Sequence, residues 1–136
     1  MITHRIGLSV ARQCWIVLLL AMGCLIPAIA WSGGPYDGQY AGTRTSDTGD
    51  DGSTCAKTGP YSLVVADNAF EFTYLRQRNV VLRPAIAPDG TFSARQEYML
   101  QKASTSARIT GRIVGDSLTA DVEGQRCHYR LDLKKR

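Results

Sequence analysis

The stretch Arg126-Cys127-His128-Tyr129-Arg130-Leu131-Asp132-Leu133-Lys134, near the end of the chain, alternates without a break. Cys127, Tyr129, Leu131 and Leu133 fall on one face, and Arg126, His128, Arg130, Asp132 and Lys134 on the other. Successive side chains of a strand point to opposite faces, so a period of two reads as a half-buried β-strand. The strand carries a cysteine, which predicts a covalent tie to an earlier part of the domain. Working back from it, the same rhythm returns in most segments after residue 36, and none of them shows an apolar stripe of helical period.

The chain then reads as an up-and-down meander. Tyr36 to Arg44 is a first strand with glycines at 38 and 42. Residues 45–60 form a long polar loop holding Cys55. Residues 61–74 predict a hairpin turning at Asp67-Asn68, with Val65 facing Phe70, Leu63 facing Phe72 and Tyr61 facing Tyr74. Val80, Leu82 and Ile86 make a fourth strand that Pro84 interrupts, and Pro88-Asp89-Gly90 is a turn. Phe92 to Leu100 follows, and then a polar turn over Lys102–Ser106. Ala107 to Ile113 pairs with Leu118 to Glu123 across Gly115-Asp116, placing Arg108 opposite Glu123 and Thr110 opposite Asp121. The closing strand follows a Gly124-Gln125 turn, with Val122 facing Cys127, Leu118 facing Leu131 and Asp121 meeting His128. About eight short antiparallel strands lose their open edges most economically by closing, last strand beside first, into a small barrel. The alternative is an open or rolled sheet of fewer strands.

The start of the chain stands apart. Met1 to Gln13 carries Arg5 and Arg12 and no acid; Cys14 to Ile29 is almost wholly apolar; Ala28-Ile29-Ala30 has the small-x-small form of a cleavage site. This is the pattern of a signal helix, residues 1–30, removed on export, and it leaves residues 31–136 as one domain with no stable membrane anchor. Those residues keep a formal charge of +2, with cations scattered rather than gathered, which argues against a nucleic-acid binder. Cys14 and Cys24 leave with the signal, so Cys55 and Cys127 predict a disulfide in an oxidising compartment, periplasmic or secreted. A loop of about 73 residues gives such a bond roughly 4 kcal/mol in the chain-entropy model.

The residues for several chemistries are missing. Two cysteines and the single remaining histidine, His128, do not make a zinc set, so no metal and no cofactor is expected. Asp47-Thr48-Gly49-Asp50-Asp51-Gly52-Ser53 has part of a calcium loop but lacks the third ligand, where Gly49 stands, and the closing Glu, where Thr58 stands; it reads as a solvated loop. The expected His128–Asp121 pair reads as a surface contact, with no serine placed beside it to act as a nucleophile. Asp121 and Glu123 face arginines and do not form a two-carboxylate hydrolytic pair.

The order Gly38-x-Tyr40-x-Gly42, a cysteine, Asp89-Gly90-x-Phe92, Gly111-x-Ile113-x-Gly115-x-x-Leu118 and Cys127-x-Tyr129-x-Leu131 resembles a group of small exported β-rich proteobacterial proteins with no assigned activity. The resemblance covers most of residues 31–136 and rests on turn glycines, core residues and the cysteine pair. It therefore implies a fold and transfers no site. In architecture alone the chain is also similar to periplasmic lysozyme inhibitors built as small eight-stranded barrels.

Alternate turns of a meander share one end. The 45–60 loop, Arg76-Gln77-Arg78, Lys102–Ser106 and Gly124-Gln125-Arg126 would gather there. The expectation is thus an exported, non-enzymatic binding or inhibitor module whose rim, with Arg76, Arg78, Lys102 and Arg126, meets a protein or an anionic ligand. A structural envelope protein and a small hydrolase using His128 are the alternatives.

Overall fold

A computed structural model describes residues 33–47 and 55–136. The expected signal segment, its cleavage point and most of the stretch weighed as a calcium loop lie outside the described residues. The strands are β1 (Gly38–Ser46), β2 (Gly59–Val65), β3 (Phe72–Leu75), β4 (Val80–Leu82), β5 (Ala85–Ile86), β6 (Thr91–Leu100), β7 (Ala103–Val114), β8 (Ser117–Gly124) and β9 (Tyr129–Lys135), with one 3₁₀ turn at Arg76–Arg78. Seven strands form an antiparallel sheet in the order β2-β1-β9-β8-β7-β6-β5, curled into a half-barrel, while β3 and β4 pair with each other.

First and last strands do meet. β1 pairs with β9 from Tyr40↔Lys135 to Ser46↔Tyr129, and the Asp47 amide extends the ladder by donating to the His128 carbonyl at 3.1 Å. Gly42 lets the two backbones approach: a Cβ there would stand 2.1 Å from the Asp132 carbonyl oxygen. The β7–β8 register is the expected one, with Arg108↔Glu123 and Thr110↔Asp121, turning at Gly115 with φ +57°. Pro84 breaks the fourth strand into β4 and β5, because it offers no amide to the ladder.

Three expectations are corrected. The Asp67-Asn68 turn exists, with φ of +53° and +54° and paired hydrogen bonds between Ala66 and Ala69, but the hairpin ends there. The Phe70 amide donates to the Pro84 carbonyl instead, so β3 leaves for β4 and β2 pairs with β1. The turn expected over Lys102–Ser106 is only Gln101-Lys102, both at positive φ, which lets β7 start at Ala103. The β8–β9 register is displaced by two residues, to Val122↔Tyr129 and Leu118↔Leu133, since Cys127 is held out of the ladder. A displacement of two keeps every side chain on its face. The core therefore keeps its expected members: Leu118, Ala120, Val122, Tyr129, Leu131 and Leu133 are buried with Tyr40, Leu63, Phe70, Phe72, Tyr74 and Phe92.

Asp37, just before β1, fixes the Asp67-Asn68 turn at the end of the neighbouring β2, its carboxylate accepting from the Asn68 amide at 2.8 Å and the Asp67 amide at 2.9 Å. The Asn68 bond, first among its causes, holds the Asp37 carboxyl below its ordinary value of 3.8. A lowered folded-state pKa stabilises above the unfolded value and is lost as pH falls through the folded one. Urea unfolding between about pH 5 and 2 is expected to show a shallower acid loss in Asp37→Asn than in the wild type.

Candidate functional site

Arg44 keeps the parity of Tyr40 and Gly42 along β1, which places a cation on the inner face near the strand's end. It sits opposite Gly59 of β2 and Leu131 of β9. Its guanidinium carbon lies 5.1 Å from the centre of the Tyr61 ring and 5.6 Å from that of Tyr129. Nη2 donates to the Lys57 carbonyl at 3.1 Å. Nε is shielded from solvent, and no acceptor among the described residues reaches it. No carboxylate among the described residues is within ion-pair distance of this guanidinium.

The two rings cannot serve as counter-ions. Burial pushes the hydroxyls of Tyr61 and Tyr129 above their ordinary value of 10, against the opposing influence of Arg44, so both are neutral at physiological pH. Cation–π contacts contribute about 0.5–2 kcal/mol each and offset part of the desolvation cost of a half-buried charge. They satisfy none of its donors.

A cavity of about 510 Å³ opens over this guanidinium, lined by Arg44, Cys55, Tyr61, Tyr74, Arg76 and Gln77 among others. Its far wall is held by the expected disulfide: Cys55 and Cys127 are bonded, with their Cα atoms 5.6 Å apart. The Ala56 amide donates to the Tyr129 hydroxyl at 2.9 Å, which anchors the segment after Cys55. Tyr74 anchors the other side, its hydroxyl accepting from the Cys127 amide at 2.9 Å and the Arg126 amide at 3.3 Å. Gly124 leaves room for that hydroxyl, which would lie 2.2 Å from a Cβ. These bonds are why the β8–β9 connection is longer than its turn residues suggest. Tyr74→Phe strands two amide donors at a shielded position and is expected to cost about 1–3 kcal/mol. Urea unfolding would measure that loss, and faster hydrogen exchange at 126 and 127 would localise it.

The four expected rim cations have the following surroundings. Arg76 lines the Arg44 cavity. Arg78 donates through Nη1 to the Met99 carbonyl at 3.0 Å. Arg78 and Arg126 both act on Tyr98, whose hydroxyl burial, and after it the Tyr74 hydroxyl, push up to about 12 against those two charges. Lys102 sits at the tip of the β6–β7 turn with φ +71°. The central cation, Arg44, was not among the expected site residues. Its signal was present all the same: an arginine in phase with a buried tyrosine on the same strand.

His128 and Asp121 do not meet. The displaced register puts Arg130 opposite Asp121, and Arg130 Nε lies 3.0 Å from its Oδ1. The imidazole–carboxylate pair on which a hydrolase reading depended is therefore not formed. Among the described residues no group of His, Cys, Asp and Glu could hold a metal ion, and no helix is long and apolar enough to cross a membrane. No family model, no curated protein and no solved structure matches the chain.

Proposed function

We propose that the chain is an exported binding module, periplasmic or secreted and non-enzymatic, which takes an anionic group of its partner into the Arg44 cleft. The observation that carries this reading is the guanidinium itself: half-buried, against two neutral rings, with Nε unpaired and no carboxylate of the described residues within ion-pair distance. A charge in that position costs free energy in the isolated protein, and an incoming carboxylate or phosphate recovers it through charge-assisted hydrogen bonds of about 1.5–3 kcal/mol each. Arg76 adds a second cation to the same cavity. Arg78, Lys102 and Arg126, exposed and outside the lining of that cavity, steer the encounter, a role that salt screens. Export is supported by the disulfide and by the basic, apolar and small-residue pattern of residues 1–30.

The test is capture of a partner from an extract of the exported fraction on the immobilised disulfide-bonded protein. The wild type is expected to retain a partner that raised salt elutes, and Arg44→Gln/Arg76→Gln to lose it while still unfolding in one cooperative urea transition at a midpoint no lower than the wild type's. Neutralising Arg78, Lys102 and Arg126 together should slow capture with a smaller loss of affinity. Equal retention by the Arg44→Gln/Arg76→Gln protein would remove the cleft from the account.

A further inference from the structure

The sheet stops at β2, and β3 stops its own pair, so two strand edges face one another across a seam. In an antiparallel ladder every second residue turns its N–H and C=O to the same side. β2 spends one such row on β1, and β3 spends one on β4. Among the described residues, the only backbone bonds joining the two arms are those between Ala66 and Ala69, at the turn. From that turn the arms diverge, and their Cα traces lie beyond 8 Å of one another over most of their length. Paired strands sit roughly 4.8 Å apart, and two strands flanking a third about twice that. The gap therefore exceeds a direct pairing, and both edges are left without a ladder partner.

The floor of the seam is already packed. The rings of Tyr61 and Phe72 meet beneath it at 5.7 Å. Above them lies a groove of about 550 Å³, lined by residues that include Leu63, exposed Val64, Phe70, Glu71 and Arg83. Glu71 and Arg83 neutralise each other at 2.6 Å, so the groove itself has no strong preference of charge. Its mouth does, for Tyr61 lines both the groove and the cleft that holds Arg44 and Arg76.

We propose that the partner enters as an extended polypeptide segment, adding a strand between β2 and β3, with an acidic residue or terminal carboxylate seated on Arg44 and Arg76. This rests on the anionic-cleft reading and names the partner class for it. Backbone bonds to two edges supply affinity without sequence demands, and the charged mouth sets which end goes in. Bound in this way, the segment joins the seven-stranded sheet to the β3–β4 pair along the seam.

The experiment uses the intact disulfide-bonded protein and pools of peptides of about ten residues, a usual upper length for a strand. In the first pool Thr and Val alternate with varied residues and two glutamates end the chain. A second pool ends in two lysines. A third repeats the first with alternate backbone amides methylated, which keeps side chains and charge but blocks the ladder. The acidic pool is expected to bind and to slow hydrogen exchange in residues 61–65 and 71–75. Methylation should weaken binding by roughly tenfold or more, and Arg44→Gln should abolish the preference for acidic over lysine ends. Equal binding of the methylated pool overturns strand addition. So does failure of every pool when free glutarate still binds at Arg44, a result that leaves the cleft reading intact. If glutarate fails as well, both fall. Protection of 61–65 without peptide, with a doubled solution mass, would give the seam to a second copy of the chain and overturn the proposal too.

Discussion

Replacing Cys55 and Cys127 together by alanine lowers the unfolding free energy by about 4 kcal/mol, the loop-closure value for a bond of this span. The two residues are 72 positions apart, and Cys127 is wholly buried. A domain of this size has only about 5–15 kcal/mol in all, so the doubly substituted protein is expected to be marginal at physiological temperature. The effect should reach the cleft. Cys55 lines it, and the segment that follows supplies the Lys57 carbonyl to Arg44 and the Ala56 amide to Tyr129. Urea unfolding of oxidised and substituted proteins measures the first effect, and exchange at Ala56 reads the second. A loss below about 1 kcal/mol would mean that the β1–β9 pairing already holds the two sulfurs' neighbourhoods together in the unfolded ensemble.

Phe72→Ala is expected to cost about 3–5 kcal/mol, in the range for a large aromatic removed from a packed core. Phe72 is fully buried, with ring centres 5.7 Å from Tyr61 and 5.9 Å from Tyr129. Those are the two rings that clasp Arg44. The substitution should therefore weaken anion binding although Phe72 touches no ligand, whereas Phe72→Leu, which keeps most of the volume, should cost less on both counts. The urea midpoint at constant slope measures the stability change.

Parity made the core of this chain legible in its sequence, and competition for backbone groups hid the pairing. Two-residue alternation told which side chains face inward, and a register displaced by two preserves that, so the core around Tyr129, Leu131 and Leu133 was legible although β8 and β9 are paired differently. The pairing itself was not legible, because a tyrosine hydroxyl more than 50 residues away competes for the amides of Arg126 and Cys127. The same holds at Asp67-Asn68. The turn chemistry was readable, but the Pro84 carbonyl takes the Phe70 amide and parts the two strands. The rim arginines were found by counting turns to one end of a meander, which brought Arg76 to the cleft but not Lys102. Arg44 escaped because inward positions were searched for apolar residues, and a cation among them is the exception that marks a site.

The most direct test follows the Arg44 Nε–Hε resonance of the disulfide-bonded protein while glutarate is added at constant ionic strength. A saturable downfield shift that chloride does not produce, and that is diminished in Arg76→Gln, is the predicted result. A resonance that stays still, or that moves equally with chloride, would contradict the claim that this half-buried guanidinium receives the anionic group of a partner.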